Sequence, residues 1–172
     1  LRFYESKRKE SLTAFLPPQM LFTAEYFGNV HQSPSQASDM TNRIVECVPN
    51  FSEGCNMDVI KQITDEIESV EGVKLLNVDP GKATNRTVVT FVGTPEEVID
   101  AAFLAIKKAS ELIDMSKHSG EHPRMGATDV CPLVPIANIE IDEVVKYAHK
   151  LGERVGKELG IPGYFYEYAA ST

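Results

Sequence analysis

From residue 43 onward the period of the apolar residues switches in the order strand, helix, strand, strand, helix, strand, and that order narrows the fold more than any other feature. Residues 43–49 (Arg-Ile-Val-Glu-Cys-Val-Pro) read as a strand ending in a Pro49-Asn50 turn. Over 56–70, Val59, Ile60, Ile63, Ile67 and Val70 fall on one helical face with charges opposite. A short apolar strand at 73–78 is closed by Asp79-Pro80-Gly81, a strong turn signal. Residues 87–92 (Thr-Val-Val-Thr-Phe-Val) are rich in β-branched side chains and predict the next strand. Thr94-Pro95-Glu96-Glu97 then supplies an N-cap, a proline at the first helical position and a glutamate three residues on. The helix it opens runs to about residue 113, with Val98, Ala102, Ala105, Ile106, Ala109 and Ile113 inward. A polar loop over 114–128 leads to a strand at 130–136, where Pro132 and Pro135 point to an edge or a bulge. A helix over 141–159, stopped by Gly160 and Pro162, and a last strand over 163–168 complete the chain. The first six elements predict an α+β fold, a ferredoxin-like βαββαβ sandwich with an additional αβ extension. Helices on one side of such a sheet leave its other face open, and an apolar open face needs a partner layer.

Residues 1–40 read differently. Their aromatics are scattered, Pro17-Pro18 interrupts the one apolar stretch, and no period holds for more than a few residues. The expectation is a disordered leader or tag, with the folded unit at 41–172; the prolines argue against a secretory signal. The chain has 172 residues and a formal charge of −8. That balance argues against nucleic acid, which needs a concentrated basic surface. No apolar run approaches the roughly 20 residues of a membrane helix. Three cysteines without CxxC spacing (Cys47, Cys55, Cys131) read as reduced thiols, which places the chain in the cytoplasm.

Three polar loops could carry chemistry. The densest, 114–126, holds His118 and His122, and Pro123 biases His122 toward extended backbone. An imidazole so placed suits acid–base work, or it is a solvated loop histidine bonded to a carbonyl. The i,i+4 spacing of His118 and His122 would suit a metal on a helix, but Gly120 and Pro123 break the helix and no further ligands complete a sphere; no metal is expected. In the loop 77–87, Asp79 could orient a histidine or bind an amine, and Arg86 could clamp a carboxylate; a plain turn with a surface arginine is the alternative. In 49–54, Ser52 and the backbone N–H groups could receive an anion or simply cap the helix that follows.

Val45-Glu46-Cys47-Val48-Pro49-Asn50-Phe51-Ser52-Glu53-Gly54, Thr84-Asn85-Arg86-Thr87-Val88 and Gly120-Glu121-His122-Pro123-Arg124-Met125-Gly126-Ala127 resemble the signature segments of the glutamate formimidoyltransferases. In vertebrates this is the amino-terminal domain of formimidoyltransferase-cyclodeaminase, and the resemblance runs from Arg43 to about Ala170. It implies transfer of the formimino group from N-formimino-L-glutamate to tetrahydrofolate, a late step of histidine breakdown. It makes His122 the catalytic acid/base, for which Asp79 is the candidate to orient the ring or contact the incoming amine. A glutamate substrate's carboxylates call for cations, so Arg124 and Arg86 are the candidate substrate-binding residues, with Asn85, Ser52 and Glu121 beside them and Lys117 and His118 as weaker candidates at the loop rim. Family members carry two similar subdomains with folate in the groove between them and form homo-oligomers. On that pattern the open sheet face awaits a second subdomain, and this chain alone is expected to be inactive. Formyl rather than formimino transfer, or a non-catalytic binding subdomain, are the competing readings.

Overall fold

The computed structural model describes residues 20–24, 43–121 and 124–170. Seven strands form one sheet: β1 (Met20–Ala24), β2 (Ile44–Cys47), β3 (Asn50–Phe51), β4 (Lys74–Gly81), β5 (Arg86–Gly93), β6 (Thr128–Ala137) and β7 (Gly163–Glu167). Among the described residues three α-helices accompany it: α1 (Met57–Glu68), α2 (Pro95–Leu112) and α3 (Ile141–Leu159). The architecture is α+β. β2 and β3 both lie between β5 and β6, antiparallel to each, and β4 pairs antiparallel with β5 at one edge. Beyond β6 the sheet continues with β1 and then β7, both parallel.

The helices start and stop where short-range chemistry dictates. Asn56 Oδ1 accepts the N–H groups of Asp58 and Val59 at 3.1 and 3.3 Å, and so caps α1. Glu97 closes the box on Thr94, taking its N–H at 3.3 Å and its hydroxyl at 2.8 Å. Gly160 ends α3 in the left-handed conformation, φ 67°. α2 packs between α1 and α3, and its Val98, Ala101, Ala102, Ala105, Ile106 and Ala109 are buried. Along β5, Thr87, Val89, Phe91 and Gly93 are buried while Arg86, Val88, Thr90 and Val92 are half-buried. One face of the sheet therefore lies in the core; the other stays partly exposed and carries Val88, Thr90, Val92 and Ile136. Cys47 and Cys131 meet in the core as free thiols, sulfurs 3.6 Å apart. No helix among the described residues is long and apolar enough to cross a membrane.

Four local expectations change. Asp79-Pro80-Gly81 is not a turn: β4 runs through it, pairing Asp79 with Val88, Pro80 with Thr87 and Gly81 with Arg86. An edge strand tolerates the missing proline N–H, and a bulge between Leu75 and Asn77 sets the register. The chain reverses at 82–85 instead, where Asn85 N–H bonds to the Lys82 carbonyl at 3.2 Å. The first strand does not end at Pro49. It breaks into β2 and β3, joined across the gap by Val48 N–H to the Pro132 carbonyl and Val89 N–H to the Pro49 carbonyl. β6 is interior, with bulged pairing rather than an edge position. Finally, Met20–Ala24 forms β1 inside the stretch read as a structureless leader. Five residues are too few to show a period; pairing with β6 and β7 supplies what local pattern cannot. The other residues of 1–42 lie outside the described residues.

Candidate functional site

Buried polar residues concentrate at one end of the sheet. Of the six buried polar or charged residues among those described, Asn50, Ser52, Thr87, Thr128 and Asp129 sit at the facing ends of β3, β5 and β6 or beside them, and Thr64 lies in α1. Burying such groups costs free energy unless they are bonded, and apart from the Thr128 hydroxyl, which has no partner among the described residues, this end is built by directional contacts where the rest is built by apolar ones. Ser52 is fully buried; its N–H bonds to the Ala127 carbonyl at 2.8 Å and its hydroxyl donates to the Gly126 carbonyl at 2.7 Å. Thr87 donates its hydroxyl to the Glu53 carbonyl, and Asp129 accepts the Met125 N–H at 2.7 Å. A bulge in the β3–β6 pairing lets Thr128 and Asp129 both be buried. These contacts fasten both ends of the long loop.

The three polar loops close on one another backbone to backbone. A Cβ on Gly54 would stand 2.5 Å from the Arg86 nitrogen, and one on Gly120 would stand 2.5 Å from the Thr84 carbonyl oxygen. Both positions require glycine because backbone atoms cannot give way. Asn85, at φ 48°, is the shared fastener. Its Oδ1 accepts the Gly54 N–H at 2.9 Å, and its Nδ2 donates to the Ser119 carbonyl at 3.1 Å and to His118 Nδ1 at 2.9 Å. Arg124 Nη1 reaches the Asn85 carbonyl at 3.1 Å and His118 Nδ1 at 2.9 Å. The half-buried His118 has its pKa lowered, first by burial and then by the Arg124 charge, with Glu53 opposing. At the loop entrance Asp114 accepts from Ser116 and pairs with Lys117 at 3.0 Å; these contacts hold its carboxyl down to about 2.

The residues singled out from sequence thus separate into two groups. Asn85, Arg124 and, through the Gly126 carbonyl, Ser52 belong to the fastened loops, and Glu121 is exposed on the same loop. Asp79 and Arg86 lie on paired strands: Asp79 is exposed on β4 opposite Val88, and Arg86 opens β5 opposite Gly81 with its backbone against Gly54. His122 lies outside the described residues. His118 holds a more central place than the rim position given it by sequence, with both Asn85 and Arg124 on one ring nitrogen. Nothing in the spacing of either loop marks it, because the contact is made between loops distant in sequence.

The sequence profile of the formiminotransferase domain, N-terminal subdomain, matches residues 44–172. The chain belongs to that family. Formimidoyltransferase-cyclodeaminase of Gallus gallus is 58% identical over 128 residues, which are 74% of this chain and 24% of that protein. Glutamate formimidoyltransferase of Thermoplasma acidophilum is 52% identical over 127 residues, 74% of this chain and 42% of the relative. The corresponding enzyme of Streptococcus pyogenes serotype M1 is 50% identical over 129 residues, 75% and 43%. The chain therefore spans about a quarter to somewhat over two-fifths of the curated relatives it matches. The formiminotransferase match begins at residue 44, so β1 comes from a segment outside it.

Proposed function

We propose that this formiminotransferase subdomain supplies the acid/base half of a site that moves the formimino group from N-formimino-L-glutamate to tetrahydrofolate, and that it works with a second formiminotransferase subdomain. The observation that carries the proposal is the convergence on Asn85 of three loops from separate parts of the chain, with His122 two residues from the fastened Arg124. A site assembled this way is held on rigid strand ends, as transfer chemistry demands.

In the reaction, addition of folate N5 to the formimino carbon forms one C–N bond and sends the C=N electron pair onto the imino nitrogen. Collapse then breaks the bond to glutamate nitrogen. One proton must leave N5 and one must reach the departing amine. His122 takes the first and returns the second, a role worth about 10² to 10⁴ in rate. Asp79 is the group that meets the amine or steadies the histidine, and Arg86 and Arg124 supply positive charge for the glutamate carboxylates. Ser52 and Asn85 hold the loops that carry these groups, and Glu121 lies beside the histidine. The partly exposed sheet face with Val88, Thr90, Val92 and Ile136 is the surface offered to the second subdomain.

The test is turnover of N-formimino-L-glutamate with tetrahydrofolate by the chain paired with a second subdomain, wild type against His122→Ala. The expected loss is about 10² to 10⁴ in kcat. Near-wild-type turnover with both substrates saturating would remove His122 from the reaction. The chain without a second subdomain is expected to turn over negligibly, and robust activity from it would overturn the two-subdomain requirement.

A further inference from the structure

Two groups that can only donate meet at one nitrogen of His118. Arg124 Nη1 lies 2.9 Å from Nδ1, and a guanidinium has no acceptor. The Asn85 amide nitrogen lies 2.9 Å from the same atom. Its orientation is fixed by one-way partners, because Oδ1 faces the Gly54 N–H and Nδ2 faces the Ser119 carbonyl. Nδ1 is therefore the bare nitrogen, and the neutral ring carries its proton on Nε2. The Asn85 amide nitrogen lies farther from Nε2, at 3.5 Å, and the one backbone acceptor acting on the ring among the described residues is the Ser119 carbonyl, which favours the protonated form. The charged groups acting on the ring are Arg124 on its own loop and Glu53 on the loop before α1.

A histidine in this state is a poor proton acceptor. Protonating Nδ1 would break two bonds and place a second positive charge beside the guanidinium. It is a good donor, because the cation behind the ring polarises the Nε2–H bond and favours an anion in front. We propose that His118 is a binding residue of the transfer site, presenting Nε2–H to a carboxylate of the glutamate-bearing substrate, with Asn85 and Arg124 as the positioning residues that fix its tautomer. The inference rests on the formimino-transfer reading. It gives two histidines four residues apart different work: His122 moves the proton, and His118 stays neutral and holds the substrate.

The experiment has two arms. Nitrogen-15 NMR of the full chain at pH 7 reads the tautomer directly; the expected result is an unprotonated Nδ1 and a protonated Nε2 on His118. Asn85→Asp replaces a donor with an acceptor, and should move the proton toward Nδ1 and raise the His118 titration midpoint. In the paired protein, His118→Ala should raise KM for N-formimino-L-glutamate by roughly tenfold or more, the loss of one charge-assisted hydrogen bond, with kcat changed far less. His118→Gln, whose amide nitrogen can stand near Nε2, should recover most of that loss, while His118→Asn should not. A protonated Nδ1 at pH 7, or an unchanged KM in His118→Ala, overturns the proposal. Wild-type protein with the expected tautomer but no transfer overturns the formimino-transfer reading instead.

Discussion

The packing around α2 and the loop end of the sheet are held by opposite means. α2 is buried through aliphatic side chains against α1, α3 and the inner residues of β2, β5 and β6. Such burial is non-directional, and many atoms share it. The loop end depends on a handful of polar bonds, one left-handed asparagine and two glycines with no room for a methyl group. The first region therefore sets how stable the subdomain is, and the second sets where the atoms of the three loops sit.

Substitutions can break or sharpen that contrast. The largest expected effect is on the core side: Phe91→Ala removes a fully buried ring and should cost about 3 to 5 kcal/mol by urea unfolding. The His118 tautomer should survive it wherever the protein remains folded. Gly54→Val should cost about 1 to 3 kcal/mol, since the added carbons meet the backbone of Gly81 and Arg86. Unlike Phe91→Ala, it should also displace Asn85, seen as a change in the His118 ring nitrogen shifts. Thr94→Ala, which removes the cap of α2, should cost about 1 kcal/mol and leave the loops untouched.

The smallest effect is a pH dependence confined to the loop end. His118 has a lowered pKa in the folded state, so the unfolded chain binds the proton more readily. Its contribution to stability is present above the ordinary value of 6.5 and is lost as pH falls from there through the lowered value. His118→Gln should flatten that part of the urea-midpoint profile. Asp114, held down to about 2 from 3.8, contributes above 3.8 and loses the contribution as pH falls through 2. Asp114→Asn should remove only that acid limb.

The same contrast explains what the sequence could reveal. The α1 and α2 faces and the Thr94–Glu97 cap were legible because periodicity and capping are local. The path of β4 through Asp79-Pro80-Gly81 was not, because the tolerance of Pro80 depends on an edge that only the finished sheet defines. β1 was hidden for a related reason: its partners, β6 and β7, are more than a hundred residues away. At the site, motif resemblance pointed to Asn85 and Arg124. It could not show that both converge on His118, a contact between loops that leaves no trace in the spacing of either.

If the loops fastened by Asn85 form the transfer site, unfastening them must cost turnover. The most direct measurement is turnover of N-formimino-L-glutamate with tetrahydrofolate by the paired protein carrying Asn85→Ala, alongside its urea midpoint. Turnover is expected to fall by about a hundredfold or more, the scale on which misplaced reacting groups cost rate, while the subdomain stays folded. Turnover equal to wild type in a folded Asn85→Ala protein would contradict it.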